Sequence, residues 1–140
     1  MSFWRELFDV AARSDQDDDT VPSTPEGKVR VYVFAGHFPD EEALLSYCFD
    51  QPAEGLPVPF NRDLTGAYVD TTYVVTGFGA GVKETLDEFF VGDVAAEILL
   101  RIGDGNSVVV VSEYAFGDFP FSLNDTPRLS YLGSWLVSRD

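Results

Sequence analysis

Four stretches of the chain carry the spacing of apolar and polar residues that is typical of β-strands. Residues 28–35 have an apolar side chain at every second position, and residues 129–137 alternate in the same way. Because successive side chains of a strand point to opposite faces, each stretch predicts a strand. Residues 67–76 are rich in Val, Thr and Tyr, which are enriched in strands. The continuous apolar run at residues 108–111 predicts a central strand buried on both faces.

Three other stretches have helical spacing. At residues 40–49, acidic residues come first, where the helix macrodipole favours them, and apolar residues follow on one face. Residues 82–102 carry apolar side chains four positions apart. They predict either one long helix or two helices separated at Gly92, with Asp93 as the N-cap of the second. Residues 3–13 predict a further amphipathic helix.

The organisation of the chain follows from these elements. Residues 14–27 lose all periodicity and contain clustered Asp and two prolines, which predicts a solvated acidic linker. The 140 residues fit one domain, made of a helix at residues 1–13, this linker and a core at residues 28–138. Because the last two strands follow each other without a helix, we expect an α+β fold. Its sheet is expected to be mixed or largely antiparallel, with helices packed mainly on one face.

The net charge of the chain limits the kinds of partner that it can bind. The formal net charge is −15, which repels nucleic acid and anionic membranes and favours basic partners. No nucleic-acid partner and no membrane partner are therefore expected. A highly soluble surface, as in a salt-rich cytoplasm, accounts for the same acidity. The N-terminus lacks the apolar segment of a signal peptide, and no apolar run reaches membrane-spanning length, so the expected compartment is the cytoplasm.

Candidate catalytic residues are scarce. His37 is the single histidine and Cys48 the single cysteine, so neither a zinc site nor a disulfide is expected. The glycine run at residues 77–81 does not match the spacing of a nucleotide-binding loop, and acidic residues follow it, so we interpret it as a turn. We expect no catalytic residue, cofactor or metal, and hence no enzyme. A small enzyme that uses carboxylates and His37 remains an alternative.

Several short motifs resemble the immunity protein 22 family of bacterial polymorphic-toxin systems. The strand at residues 29–36 ends in Gly and is followed by Phe38, by an acidic helix start and by Tyr47. A second block resembles the Phe…Asp…Tyr-Asp segment of the family, and it consists of residues 60–63 with Tyr68 and Asp70. Glu113-Tyr114 and residues 131–133 fit loosely. The resemblance spans residues 28–137.

The resemblance implies a protein that binds and neutralises a cognate toxin, for example a nuclease with a basic cleft. The candidate partner-binding residues are Asp63, Tyr68, Asp70, Glu84, Asp87 and Glu88. Two alternatives besides the small enzyme stay open. A DNA mimic would need carboxylates spaced like phosphates along one face, and an assembly domain would use its aromatic residues to oligomerise. The oligomeric state is not predicted.

Overall fold

The computed structural model describes residues 27–117 and 119–138. The predicted helix at residues 3–13 and the predicted linker, except for Gly27, lie outside these residues. The strands are β1 (Lys28–Gly36), β2 (Val74–Phe78), β3 (Ser107–Ser112) and β4 (Leu129–Ser138). The helices are α1 (Glu41–Phe49), α2 (Pro59–Asp63), α3 (Gly81–Phe89) and α4 (Gly92–Ile102), and short 3-10 turns cover Thr71–Tyr73 and Glu113–Phe116.

The four strands form one sheet in the order β2-β3-β1-β4, and every neighbouring pair is antiparallel. The α+β class and the antiparallel sheet are thus confirmed. The helices are divided between the two faces of the sheet, whereas we expected them mainly on one. The reason lies in the two central strands, β1 and β3, because their alternate residues are apolar and buried on both sides.

One face of the sheet is covered by α1, α2 and the loops that follow them, and its core is aromatic. Tyr32 of β1 makes edge-to-face contacts with Phe116 and Phe121, each at 5.5 Å between ring centroids. Phe34 meets Phe60 of α2 in the same way at 5.2 Å. Such edge-to-face pairs add to the stabilisation from burial alone.

The other face is covered by α3 and α4, and its core is aliphatic. Val31 and Val33 of β1 and Val110 of β3 pack there against Leu86 of α3 and Ile98 of α4, and each of these side chains is at most 1% exposed. Residues 82–102 therefore lie on the sheet as two helices, because the chain turns back at Phe90 and Val91. Asp93 lies in the first turn of α4 and is not its N-cap, which is Val91.

The strand predicted at residues 67–76 is only partly correct. Pairing with β3 begins at Val74, because polar side chains satisfy the backbone before that point. Asn61 accepts a hydrogen bond from the amide of Val69 and donates one to its carbonyl. The carboxylate of Asp70 then accepts from the amide of Thr72 and caps the first 3-10 turn.

The last strand contains a β-bulge that moves its apolar side chains from one face to the other. Val33 pairs with Gly133 and Phe34 with Tyr131, so Leu132 is the extra residue. Leu129 and Tyr131 consequently pack in the aromatic core, while Trp135 and Val137 pack in the aliphatic core. A bulge inserts one residue, which reverses the side of every residue after it.

Among the described helices, none combines the length and the apolar character that crossing a membrane requires.

Candidate functional site

The sheet has two ends, and the predicted partner-binding residues are divided between them. We call the upper end the one where β1 and β2 begin and β3 and β4 finish, because Lys28 pairs with Ser138 and Val74 with Val111 there. At the lower end, β1 and β2 finish and β3 and β4 begin.

Asp63 lies toward the lower end, where it is held inside the fold. Its Oδ2 accepts a hydrogen bond of 2.6 Å from the hydroxyl of Tyr47, and its Oδ1 lies 3.1 Å from Nε of Arg62. The Tyr47 hydroxyl also lies 2.9 Å from Oγ1 of Thr126, three residues before β4 begins. The hydroxyl of Tyr47 on α1 therefore connects the carboxylate of Asp63 on α2 with the loop before β4.

The ionisation of this pair follows from its surroundings. Burial raises the pKa of Tyr47, and its hydrogen bond to Asp63 raises it further, so the hydroxyl stays protonated as a donor. Desolvation opposes the ionised form of Asp63, but the hydrogen bonds from Arg62 and Tyr47 outweigh it. The pKa of Asp63 is consequently lower than that of an ordinary aspartate.

Tyr68 and Asp70 lie on a segment that runs to the upper end. Asn61 fixes the backbone of Val69 between them with bonds of 2.7 and 2.8 Å, and the amide of Asp70 donates to the carbonyl of Ala115 at 2.9 Å. The backbone of this segment is therefore anchored at two points, while the Tyr68 side chain is 72% exposed.

Two further tyrosines, which the sequence did not single out as site residues, join this segment. The rings of Tyr73 and Tyr114 lie 6.0 Å apart at 58°, and they are 42% and 46% exposed. Tyr73 is the last residue of the turn that Asp70 caps, and its amide donates to the carbonyl of Asp70 at 3.0 Å. Tyr114 precedes Ala115, which bonds the amide of Asp70, so both tyrosines lie close to Asp70. We call Tyr68, Asp70, Tyr73 and Tyr114 the tyrosine patch.

Three predicted residues, Glu84, Asp87 and Glu88, are exposed on α3. Asp87 forms an ion pair of 2.7 Å with Lys83 one turn earlier. Because α3 follows β2 through a tight turn at Gly79 and returns along the sheet, its last turn with Asp87 and Glu88 reaches the upper end.

A groove of about 520 Å³ opens there between α3, the start of α4 and the end of β4. Apolar side chains line it, and Asp87 and Glu88 contribute carboxylates. Its apolar lining includes Phe89, Phe90, Val94 and Trp135. Lys28 at the start of β1 and Ser138 at the end of β4, which pair with each other, also border it. The groove therefore lies at the same end as the tyrosine patch.

His37, the residue on which the enzyme alternative depends, is exposed just after β1 at the lower end. It borders a hollow of about 410 Å³ together with Arg101 and Asp104. The described residues contain no group of three or more His, Cys, Asp or Glu side chains arranged to hold a metal ion. Cys48 is buried in the aromatic core, and burial raises the pKa of its thiol to about 12.

The glycine run forms the turn between β2 and α3, as we interpreted it. Gly79 has a φ of 59°, and its amide donates to the carbonyl of Asn106 at 2.8 Å. A side chain at Gly77 would meet Oγ1 of Thr85 at 2.5 Å. These contacts give the glycines a structural role in a tight connection.

Comparison with known proteins adds no relative to this picture, because no protein-family model, curated protein or solved structure matches the chain.

Proposed function

We propose that this chain is a non-enzymatic, acidic protein-binding module of the cytoplasm, which neutralises a basic bacterial toxin domain by covering its active site. One observation carries the proposal. Exposed tyrosines and carboxylates occur at the same end of the sheet, the tyrosines in the tyrosine patch and two carboxylates beside the groove. The motif resemblance to toxin-neutralising immunity proteins supports the same function.

The chemistry of the upper end suits recognition of a basic protein. Tyrosine supplies a large contact area at low conformational cost and a hydroxyl for hydrogen bonding, so exposed tyrosines serve as anchors in interfaces. Carboxylates beside them attract a basic surface and raise the rate of association. The apolar wall of the groove, with Val91 73% exposed, provides surface whose burial stabilises a complex.

The distribution of acidic residues favours this function over DNA mimicry. Exposed carboxylates occur on α1 at one face of the sheet and on α3 and α4 at the opposite face. A duplex mimic needs them in a row along one face, as phosphates are in DNA. Carboxylates distributed around both faces suit a protein that attracts a partner and contacts it with only one end.

The test is co-expression of the full chain with the basic protein encoded next to it. We expect the two proteins to co-purify as a complex and the host cells to survive a toxin that otherwise arrests growth. The complex is expected to weaken as salt rises, because exposed charges are screened. Absence of a complex together with absence of protection would refute the proposed function.

A pair of substitutions links the function to the upper end. Tyr68→Ala and Tyr114→Ala together should weaken protection, because they remove two exposed side chains that the fold does not bury. The matched control is Leu56→Ala with Leu100→Ala, which removes two other exposed apolar side chains, 50% and 81% exposed, outside the tyrosine patch and groove. Equal loss of protection by both pairs would contradict the assignment.

A further inference from the structure

We propose that residues 133–137 of β4 accept an extended segment of the basic partner as a fifth strand of the sheet. This inference rests on the proposed function for the choice of a basic partner, and it adds the binding mode. β4 is an edge strand, because within the described chain it pairs only with β1. Edge strands carry unpaired backbone groups that can hydrogen-bond another strand.

The hydrogen bonds of β1 reveal which groups of β4 point outward. Arg30 donates its amide to Glu113, and Gly36 accepts at its carbonyl from Asn106, both on the side of β3. Because backbone groups alternate in direction along a strand, the even-numbered residues of β1 face β3 and the odd-numbered ones face β4. Val29, Val31 and Val33 therefore bond to Val137, Trp135 and Gly133. The backbone groups of Ser134 and Leu136, which alternate with these, face the open edge.

The first half of β4 is protected along the same edge. The carbonyl of Leu129 accepts from the amide of Thr126 at 2.8 Å. The amide of Tyr131 donates to the carboxylate of Asp125 at 2.8 Å. The carbonyl of the bulge residue Leu132 accepts from the guanidinium of Arg101 at 3.2 Å.

These contacts stop at the bulge. Within the described chain, no strand, loop or side chain bonds the outward backbone groups of Ser134 and Leu136. Residues 129–138 also contain no charged residue and no proline, which are the devices that usually keep edge strands from pairing. The open half of β4 is thus suited to strand addition, and the first half is not.

The groove defines the side chains that an added strand would carry. Trp135 and Val137 point to the aliphatic face, and residues 135–138 line the groove together with Phe89 and Val94. Alternate side chains of an added strand would lie over this apolar wall. Asp87 and Glu88 at its border favour Lys or Arg at one of these positions.

Charge also distinguishes a basic partner from a second copy of this chain. Two copies that joined through β4 would bring together two molecules of net charge −15, each with Asp87 and Glu88 beside the contact. Like charges oppose such pairing, whereas a basic segment relieves the repulsion.

The test is an NMR titration of the isotope-labelled full chain with a synthetic peptide of about eight residues, blocked at both ends, in which valine alternates with lysine. We expect slower hydrogen exchange at the amides of Ser134 and Leu136. The same peptide with N-methyl groups on its bonding edge should bind at least about tenfold more weakly, because several backbone hydrogen bonds are lost. A peptide with glutamate in place of lysine should bind more weakly than the lysine peptide.

A variant of the protein supplies an independent measurement. Leu136→Pro removes an outward amide at an edge position where proline is tolerated, and it should abolish the peptide effect. If this variant fails to fold, the N-methylated peptide still decides, because it needs no change in the protein.

Three results would overturn strand addition. These are no binding of the lysine peptide, equal binding of the N-methylated peptide, and protection of Ser134 and Leu136 in the free protein by a second copy or by residues 1–26. If co-expression still yields a protective complex, such a result removes only the binding mode. Failure of both experiments removes the proposed function as well.

Discussion

At the scale of single residues, Tyr47 and Tyr32 show how hydrogen-bond partners determine whether a buried hydroxyl stabilises the fold. Both side chains are largely buried, with 6% and 4% of their surface exposed. The hydroxyl of Tyr47 bonds Asp63 and Thr126, whereas that of Tyr32 has no hydrogen-bond partner among residues 27–117 and 119–138. Burial raises the pKa of both tyrosines, so both hydroxyls stay protonated.

Replacing each of these tyrosines by phenylalanine should have opposite effects. Tyr47→Phe is expected to lower the free energy of unfolding by about 1–3 kcal/mol, because the buried side of Asp63 loses its donor. Tyr32→Phe should leave it unchanged or raise it by up to about 1 kcal/mol, because an unsatisfied hydroxyl is removed. Urea unfolding of both variants measures the difference, and a larger loss for Tyr32→Phe would contradict the account.

The carboxylate of Asp63 should make stability depend on pH. Its pKa is lower in the folded protein than in an unfolded chain, so its contribution is present above the ordinary aspartate pKa and is lost as pH falls through the folded pKa. Asp63→Asn should therefore be less stable than the wild type at neutral pH, and the gap should narrow in acid. Urea unfolding across pH tests this, and a gap that widens in acid would contradict it.

The structural role of Asp63 could not be predicted from the sequence. The motif resemblance selected it as a contact residue, but its partner Tyr47 is 16 positions away. No local spacing shows that their side chains meet, because the contact depends on how α1 packs against α2. Tyr68 and Asp70, in the same motif, do lie on the surface, and their role in binding remains a prediction.

At the scale of elements, the stretches with strong periodicity were predicted correctly. The strand predicted at residues 67–76 was only partly correct, because polar side chains bond its backbone. The strands at residues 28–35 and 108–111 and the helix at residues 40–49 are confirmed. Asp40 caps that helix by accepting from the amide of Ala43 at 2.8 Å. The stretch at residues 67–76 has the composition of a strand. In its first half, however, the side chains of Asn61 and Asp70 accept hydrogen bonds from backbone amides. The strand propensity of single residues does not account for such hydrogen bonds from side chains to the backbone.

Asn61 provides a prediction about this element. It is buried and bonds both backbone groups of Val69, so Asn61→Ala should lower the free energy of unfolding by about 2–4 kcal/mol. It should also speed hydrogen exchange at Val69 and loosen the segment that bears Tyr68 and Asp70. The control is Asn124→Ala, whose side chain bonds exposed groups of Thr65 and Asp125 and makes one long bond of 3.5 Å to the carbonyl of Asp63, and which should cost less. Equal losses would show that Asn61 is not a special anchor.

The bulge in β4 shows a second limit of sequence patterns. The alternation at residues 129–137 predicted one strand with one apolar face. The structure keeps the strand, but the extra residue Leu132 sends its two halves to different cores. Gly133, with a φ of 139°, is the only local sign, because glycine in a strand pattern often marks a bulge.

At the scale of the whole molecule, the division of helices between two faces determines the proposed site. The turn that Asp70 caps belongs to the layer on one face of the sheet, and α3 belongs to the layer on the other face. The turn and the last residues of α3 both reach the upper end of the sheet. The sequence predicted these residues separately, but it could not show that they share an end. That result needed the strand order and the register of all four strands.

Acidity alone does not distinguish a binding protein from a highly soluble one. The position of the carboxylates must therefore be tested separately from the net charge. Asp70→Asn with Asp87→Asn removes two charges at the upper end, and Asn keeps the cap that Asp70 provides. Asp40→Asn with Asp104→Asn removes the same charge at the lower end, where Asn likewise keeps the cap of α1.

The most direct test of the central claim is the affinity of the neighbouring basic toxin domain for these two charge-matched variants, measured by titration calorimetry at low and high salt. The upper-end pair should weaken binding by about tenfold or more at low salt and by less at high salt, because screening removes the same attraction. The lower-end pair should change it by less than about threefold. Equal weakening by both pairs would contradict binding through the upper end and would reduce the acidity to a general property of the surface.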